Sequence, residues 1–249
     1  MAGRENGFVE ASGQWIDVAP LAVSGGRGLA RKLKFYGRRY GFLNAMCRYP
    51  FRRLPRFWAV VGRLLSRSAR KRWFRDSGRP KILNLGGGGN LLRGCLTADK
   101  DPRADVYADV TRPLEWPTGS LDGIFLEEVI EHVSVKEARA LLRECARVLV
   151  PGGALRITTP DLEWFAIGVL EHREGAREDI HRVFWDHGHE HVYTEEEIVR
   201  MCSEEGFREV RRTEYRDPGS VLGRLDSHPE RFGYGPERVI FLEMRSPST

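Results

Sequence analysis

Ten residues, Lys81-Ile82-Leu83-Asn84-Leu85-Gly86-Gly87-Gly88-Gly89-Asn90, limit the fold more than any other stretch of this chain. A short, mostly apolar run that stops at four consecutive glycines predicts a buried strand ending in a tight turn. Glycine lets such a turn take positive φ and lets another group approach the main chain without meeting a Cβ. About ten residues later, Leu96-Thr97-Ala98-Asp99 predicts a second strand that ends in a carboxylate. Ala104–Ala108, Leu121–Leu126 and Ala154–Thr159 continue the strand series. Ser134-Val135-Lys136-Glu137 is a capping box that opens a helix running to about Leu149, and Pro151-Gly152-Gly153 closes it. Thr194-Glu195-Glu196-Glu197 predicts a second capping box, on a helix that stops at Gly206. Two last strands are expected near Arg208–Tyr215 and Arg238–Arg245, flanking a long loop with Asp226-Ser227-His228-Pro229. Alternating strands and helices predict an α/β fold with a mostly parallel sheet, and the closing strand pair adds an antiparallel edge.

The glycine turn, Asp99 after the second strand, Ala108-Asp109-Val110 after the third and Val148-Leu149-Val150-Pro151-Gly152-Gly153 before the fifth resemble the class I S-adenosylmethionine-dependent methyltransferases. The resemblance covers roughly residues 80–215 and implies a Rossmann-like, seven-stranded sheet. Asn84 stands where the family usually has an acid, and Asn90 where it has a third spaced glycine. The ten residues between the glycine turn and the second strand are too few for a crossover helix. That shortening resembles a subgroup with the first helix cut to a turn, many of whose members modify glycans or natural products. As cofactor site the resemblance implies Gly86, Gly88 and Asn90 for the aminoacyl part, Asp99 for the ribose hydroxyls with Asp101 as the alternative, and Asp109 with Val110 for adenine. Leu126 and Glu127 would then lie beside the methyl group. Each acid has a plainer alternative as a turn or capping carboxylate. A dinucleotide site is the rival, but Gly86-Gly88-Asn90 does not supply G-x-G-x-x-G opening a helix.

Methyl transfer is an in-line displacement that needs a positioned acceptor, and a base where the acceptor is a hydroxyl. Two stretches offer one, Glu127–His132 after the fourth strand and Asp186–Tyr193 after the fifth. Glu131-His132 matches an element common in the family, and His132 is a catalytic candidate, with an orienting role as the alternative. Asp186-His187-Gly188-His189-Glu190-His191 would, if extended, put its three histidines on one side. His189 or His191 is expected as base or acceptor ligand. Structural hydrogen bonding and a divalent-ion site remain open for this cluster, although no metal is assigned.

The net charge of +5 conceals an asymmetry. No acid stands between Asp17 and Asp76, an interval holding sixteen Lys/Arg; the other 24 basic residues face 35 acidic ones, a balance of −11. Residues 1–78 are therefore expected as a basic, aromatic-rich appendage with a mobile start, and 79–249 as the methyltransferase domain. Pro50 and Pro55 divide the appendage into short helices, and Arg56–Leu65 can form an amphipathic one. It would serve as a helical cap or lid, or as a peripheral membrane contact through residues 28–74. RNA is the third option, weakened by the lack of an Asn/Asp-Pro-Pro-Tyr-like element after strand four. The four cysteines show no metal or redox spacing and are expected as reduced thiols. With no signal-peptide pattern or apolar span, a cytoplasmic protein is expected, with membrane association and a homodimer both open. The acceptor is expected to be a small molecule or a glycan or lipid-linked intermediate, methylated on oxygen. A non-catalytic protein retaining the fold is the alternative, on the strength of Asn84 and Asn90.

Overall fold

The computed structural model describes residues 8–11, 14–17, 55–75 and 80–247, and the side chains of 60–75 and 80–247. The expectations for residues 18–54, with most of the interleaved aromatics and Cys47, lie outside the described residues. The chain forms two compact units, one of Pro80–Gly86 with the residues from Asp109 onward, the other of Gly87–Ala108 with the described elements before Arg79.

In the smaller unit, β1 (Phe8–Ala11) and β2 (Gln14–Asp17) pair antiparallel, where the sequence suggested only a mobile start. Their Phe-Val and Trp-Ile pairs favour strands. β2 continues antiparallel onto β4 (Leu91–Leu92), giving a three-stranded sheet, order β1-β2-β4. α1 (Pro55–Arg75) starts with proline at its first position, where the missing N–H costs nothing, and runs 21 residues, well past the expected Leu65. It packs through Gly62, Ser66 and Arg70, one face at i, i+4, i+8. Ser66 Oγ accepts the Tyr107 N–H at 2.6 Å, and the Arg63 guanidinium lies 5.5 Å from the Tyr107 ring centre. β5 (Cys95–Asp99) and β6 (Val106–Tyr107) run parallel. The third strand is thus two residues of the expected five.

The larger unit holds β3 (Ile82–Leu85), β7 (Leu121–Glu127), β8 (Leu149–Pro160), β9 (Arg208–Arg212) and β10 (Val239–Arg245). All four β3 residues are buried, as a strand covered on both faces requires. The seven-stranded sheet has the order β6-β5-β3-β7-β8-β10-β9. β3, β7 and β8 are parallel, and β10 is antiparallel to both β8 and β9, so the reversed strand sits one in from the edge. The order turns back between β3 and β7, and ligands of open α/β sheets bind outside the strand ends at such a point.

α2 (Val135–Val148) carries the expected capping box, with both Ser134 and Glu137 contributing. Its buried face, Ala138, Leu141, Leu142, Cys145 and Val148, follows helical spacing. β8 starts at once at Leu149 and passes through Pro151-Gly152-Gly153. The ladder with β7 is irregular there, pairing Leu121 with Leu149 but Gly123 with Ala154, so the expected start at Ala154 is where regular pairing resumes. α3 (Leu162–Leu170) is capped by Asp161; α4 (Ala176–His181) and a π-helical turn Arg182–Asp186 follow. α5 (Glu195–Glu204) is capped by Thr194, but only half of the second box forms, because the Glu197 carboxylate lies 2.9 Å from His191 Nε2. Cys95, Cys145 and Cys202 are buried and form no disulfide. No helix among the described residues is long and apolar enough to cross a membrane.

Candidate active site

The expected cofactor residues fall in both units. In the smaller one, Gly88 has φ +56° and its N–H donates to Asp99 Oδ2 at 2.9 Å. Asp99 Oδ1 accepts the Asp101 N–H at 2.7 Å. Asp99 is half-buried. A carboxylate locked by two backbone amides at a glycine turn fits a ribose diol. Asn90 is buried, its N–H donating to the Gly87 carbonyl at 2.8 Å and its own carbonyl accepting the Thr97 hydroxyl at 3.2 Å.

In the larger unit, Gly86 ends β3 at φ +77°. A Cβ there would lie 2.5 Å from Val129 Cγ2, so the close approach this glycine permits is to the loop after β7. Asp109 Oδ1 accepts the Thr111 N–H at 3.0 Å and hydroxyl at 2.7 Å, a turn carboxylate with its other oxygen outside that bond. Val110 is half-buried beside it, and Leu126 is fully buried in β7.

Glu127, expected beside the methyl group, is buried and engaged with a loop a hundred residues away. Its Oε1 accepts the Ser227 N–H at 2.7 Å, and Oε2 accepts the Ser227 hydroxyl and an Arg231 N–H at 3.3 Å. Burial pushes its carboxyl up, but His228, Arg231 and Ser227 together hold it below its ordinary value. Glu128 follows at φ +53°, a left-handed conformation rare for a side-chain-bearing residue, of the kind that clusters at functional sites. Its Oε2 accepts the Tyr234 hydroxyl. Burial, then the charge of Glu131, raises its carboxyl to about 8.

His228, wholly buried, bridges the two carboxylates. Nδ1 lies 3.6 Å from Glu127 Oε1 and Nε2 lies 3.6 Å from Glu128 Oε1. Phe232 stacks on its ring at 4.5 Å between centres, and Tyr234 meets it edge-on at 5.2 Å. Tyr234, Glu128, His228 and Glu127 thus lie in a row, in which Tyr234 donates to Glu128 and the His228 ring stands between the two carboxylates at 3.6 Å from each, beyond hydrogen-bond length. Sequence reasoning placed Glu128 within a stretch that offers a base but did not single it out, and it passed over His228 and Tyr234. The adjacent pair Glu127-Glu128 was the only signal, since the loop bringing His228 and Tyr234 lies far along the chain.

Tyr234 also lines a cavity of about 450 Å³ with His187, His189, Arg182, Arg238 and, among its apolar walls, Phe165. That is the size of a small-ligand pocket. Arg238 is held by Asp179 at 3.1 Å and lies over the Trp164 ring. The histidines do not share one side as an extended stretch would, because Gly188 at φ +69° breaks the alternation. His187 and His189 reach the cavity. His191 turns to Glu197, with its ring against Tyr193. Burial drops the His189 ring to about 4, so it is neutral near pH 7. The His132 side chain is 40% exposed, its ring 4.6 Å from that of His189, and burial lowers it too. Burial raises Glu131 to about 8.

Residues 93–157 match a family model described as a methyltransferase domain. No curated protein matches the sequence. Among solved structures, a SAM-dependent methyltransferase from Archaeoglobus fulgidus is 13% identical, covering 85% of this chain and 98% of its own, at a TM-score of 0.46. An O-methyltransferase family protein from Burkholderia thailandensis is 16% identical over 86% of this chain and 62% of its own, at 0.46. A possible histamine N-methyltransferase from Thermotoga maritima is 16% identical over 79% and 97%, at 0.44.

Proposed function

We propose that this chain, a class I, Rossmann-like methyltransferase that uses S-adenosylmethionine, methylates a hydroxyl on an acceptor carrying an anionic group. The acceptor is a small molecule, or the end of a glycan or lipid-linked intermediate. The observation that carries this reading is Tyr234, which lines the cavity while its hydroxyl donates to Glu128. The bound donor supplies an electrophilic methyl group on a sulfonium. The acceptor oxygen becomes the better nucleophile as its proton leaves. Tyr234 takes that proton while passing its own to Glu128, and His228 and Glu127 accommodate the change in charge. A carboxyl near 8 is matched to proton transfer close to neutrality. Arg182, at the cavity wall, favours an anionic group on the acceptor, whereas Arg238 is already paired with Asp179.

The test is a screen of anionic hydroxy compounds with labelled donor, followed by pH profiles on the best acceptor. Glu128 acts as base only when ionised, so kcat should climb as pH rises through about 8 and then level off. Glu128→Gln should lower kcat about 10²–10⁴-fold and flatten that rise; Tyr234→Phe should lower kcat with little change in donor affinity. An unchanged profile in Glu128→Gln would remove the relay. Donor binding with no acceptor methylated would favour a binding protein that keeps the fold.

A further inference from the structure

The geometry points to a divalent transition-metal site formed by Glu131, His132 and His189, opening onto the cavity that His189 lines. The three residues each offer a ligand atom, and these atoms lie within 4.8 Å of one another. The fold brings them together through the backbone. Glu131 sits in the short helical turn Ile130–His132, and its carbonyl accepts the N–H groups of Glu190 at 2.8 Å and His191 at 3.2 Å. Those two bonds pin the segment carrying His189 against the turn carrying His132.

An independent observation marks the centre of the cluster. Glu131 is fully buried, and its Oε2 accepts the Thr159 hydroxyl at 3.1 Å. Its Oε1 has no hydrogen-bond partner among the described residues and lies 3.9 Å from His132 Nε2. Buried side-chain oxygens are normally paired. His189 Nδ1 is likewise buried without a hydrogen-bond partner.

Two imidazoles and one carboxylate are the donor set of zinc and of non-haem iron, manganese or cobalt, with positions left for water or substrate. Ligand bonds of about 2.0–2.2 Å place donors roughly 3.5 Å apart, so the cluster closes by about an ångström on binding. The exposed His132 side chain is free to make that adjustment. The remaining positions would meet an acceptor oxygen entering the cavity. The site itself does not depend on the methyl-transfer reading.

The test is direct titration of the chelator-stripped full chain with Zn²⁺ by calorimetry and with Co²⁺ by visible absorption. One equivalent should bind, with Co²⁺ bands of nitrogen and oxygen ligation and none of thiolate. His132→Ala and His189→Ala should each weaken binding by about tenfold or more, whereas His181→Ala, away from the cluster, should not. Glu131→Gln should do the same as the histidine variants; should it fail to fold, the surface substitution His132→Ala decides. Absence of saturable binding, thiolate bands, or affinity unchanged in both histidine variants would overturn the site.

Discussion

Asp99 illustrates how much one carboxylate can be asked to do. Its two oxygens accept the Gly88 and Asp101 N–H groups, so it shapes the glycine turn that the family resemblance assigns to the donor. A hydrogen bond to a charged group contributes about 1.5–3 kcal/mol. Asp99→Ala should therefore weaken S-adenosylmethionine binding about 10- to 100-fold by calorimetry, and unchanged affinity would remove Asp99 from the site. Arg156 makes the opposite case, of a charge spent on architecture. It is fully buried on β8 and donates to both oxygens of Asp226, at 2.7 and 2.6 Å, and to Thr213 at 2.8 Å. Asp226 directly precedes Ser227 and His228, so this pair seats the loop that brings His228 between Glu127 and Glu128. Removing one partner of a buried pair costs about 3–5 kcal/mol, while replacing both with apolar groups is often neutral. Urea unfolding should find Asp226→Ala destabilised on that scale and Arg156→Met/Asp226→Leu largely restored. Equal stability of Asp226→Ala and the parent would show the pair to be dispensable.

Among the elements, β3 and its turn were the most legible in the sequence, because a buried apolar run and a stop of four glycines leave few alternatives. The purpose of Gly86 was not. Sequence alone suggests room for a ligand, whereas the structure puts Val129 against it. Gly86→Ala should cost about 1–2 kcal/mol for the left-handed backbone and about 1–3 more for overpacking. Gly86→Ala/Val129→Ala should recover only the second part, and a Gly86→Ala variant as stable as the parent would show that neither constraint operates. The capping boxes show the same limit. Ser134 and Glu137 close on each other as written, but Glu197 is drawn off by His191, a residue outside the motif. Helix positions and the succession of strands along the chain were local or periodic signals. The pairing of Glu128 with Tyr234, 106 residues apart, and the left-handed φ at Glu128 have no local signature. The histidine cluster was legible in residue type but not in direction, since one glycine at positive φ sends His191 away from His187 and His189.

At the scale of the whole molecule the charge is unevenly distributed: the segment from Arg27 to Arg75 is wholly basic, and the remainder carries an acidic excess. α1 is the described part of that segment. It leaves Val60 and Leu64 each 61% exposed, one turn apart, with Arg63, Arg67 and Lys71 also exposed. An apolar pair flanked by cations suits the boundary of an anionic bilayer, where the side chains enter the headgroup region and each basic residue near the surface adds about 1 kcal/mol. The same helix is tied to β6 through Ser66 and Tyr107, so docking need not unfold it. The full chain is expected to co-sediment with phosphatidylserine-containing vesicles, to remain in solution with phosphatidylcholine alone, and to be released as salt shortens the screening length. Val60→Ser/Leu64→Ser should lower the bound fraction at fixed salt without altering the thermal midpoint, because both side chains are already in water. Binding that ignores lipid charge, or that survives the double substitution at full strength, would leave the basic segment to another anionic partner.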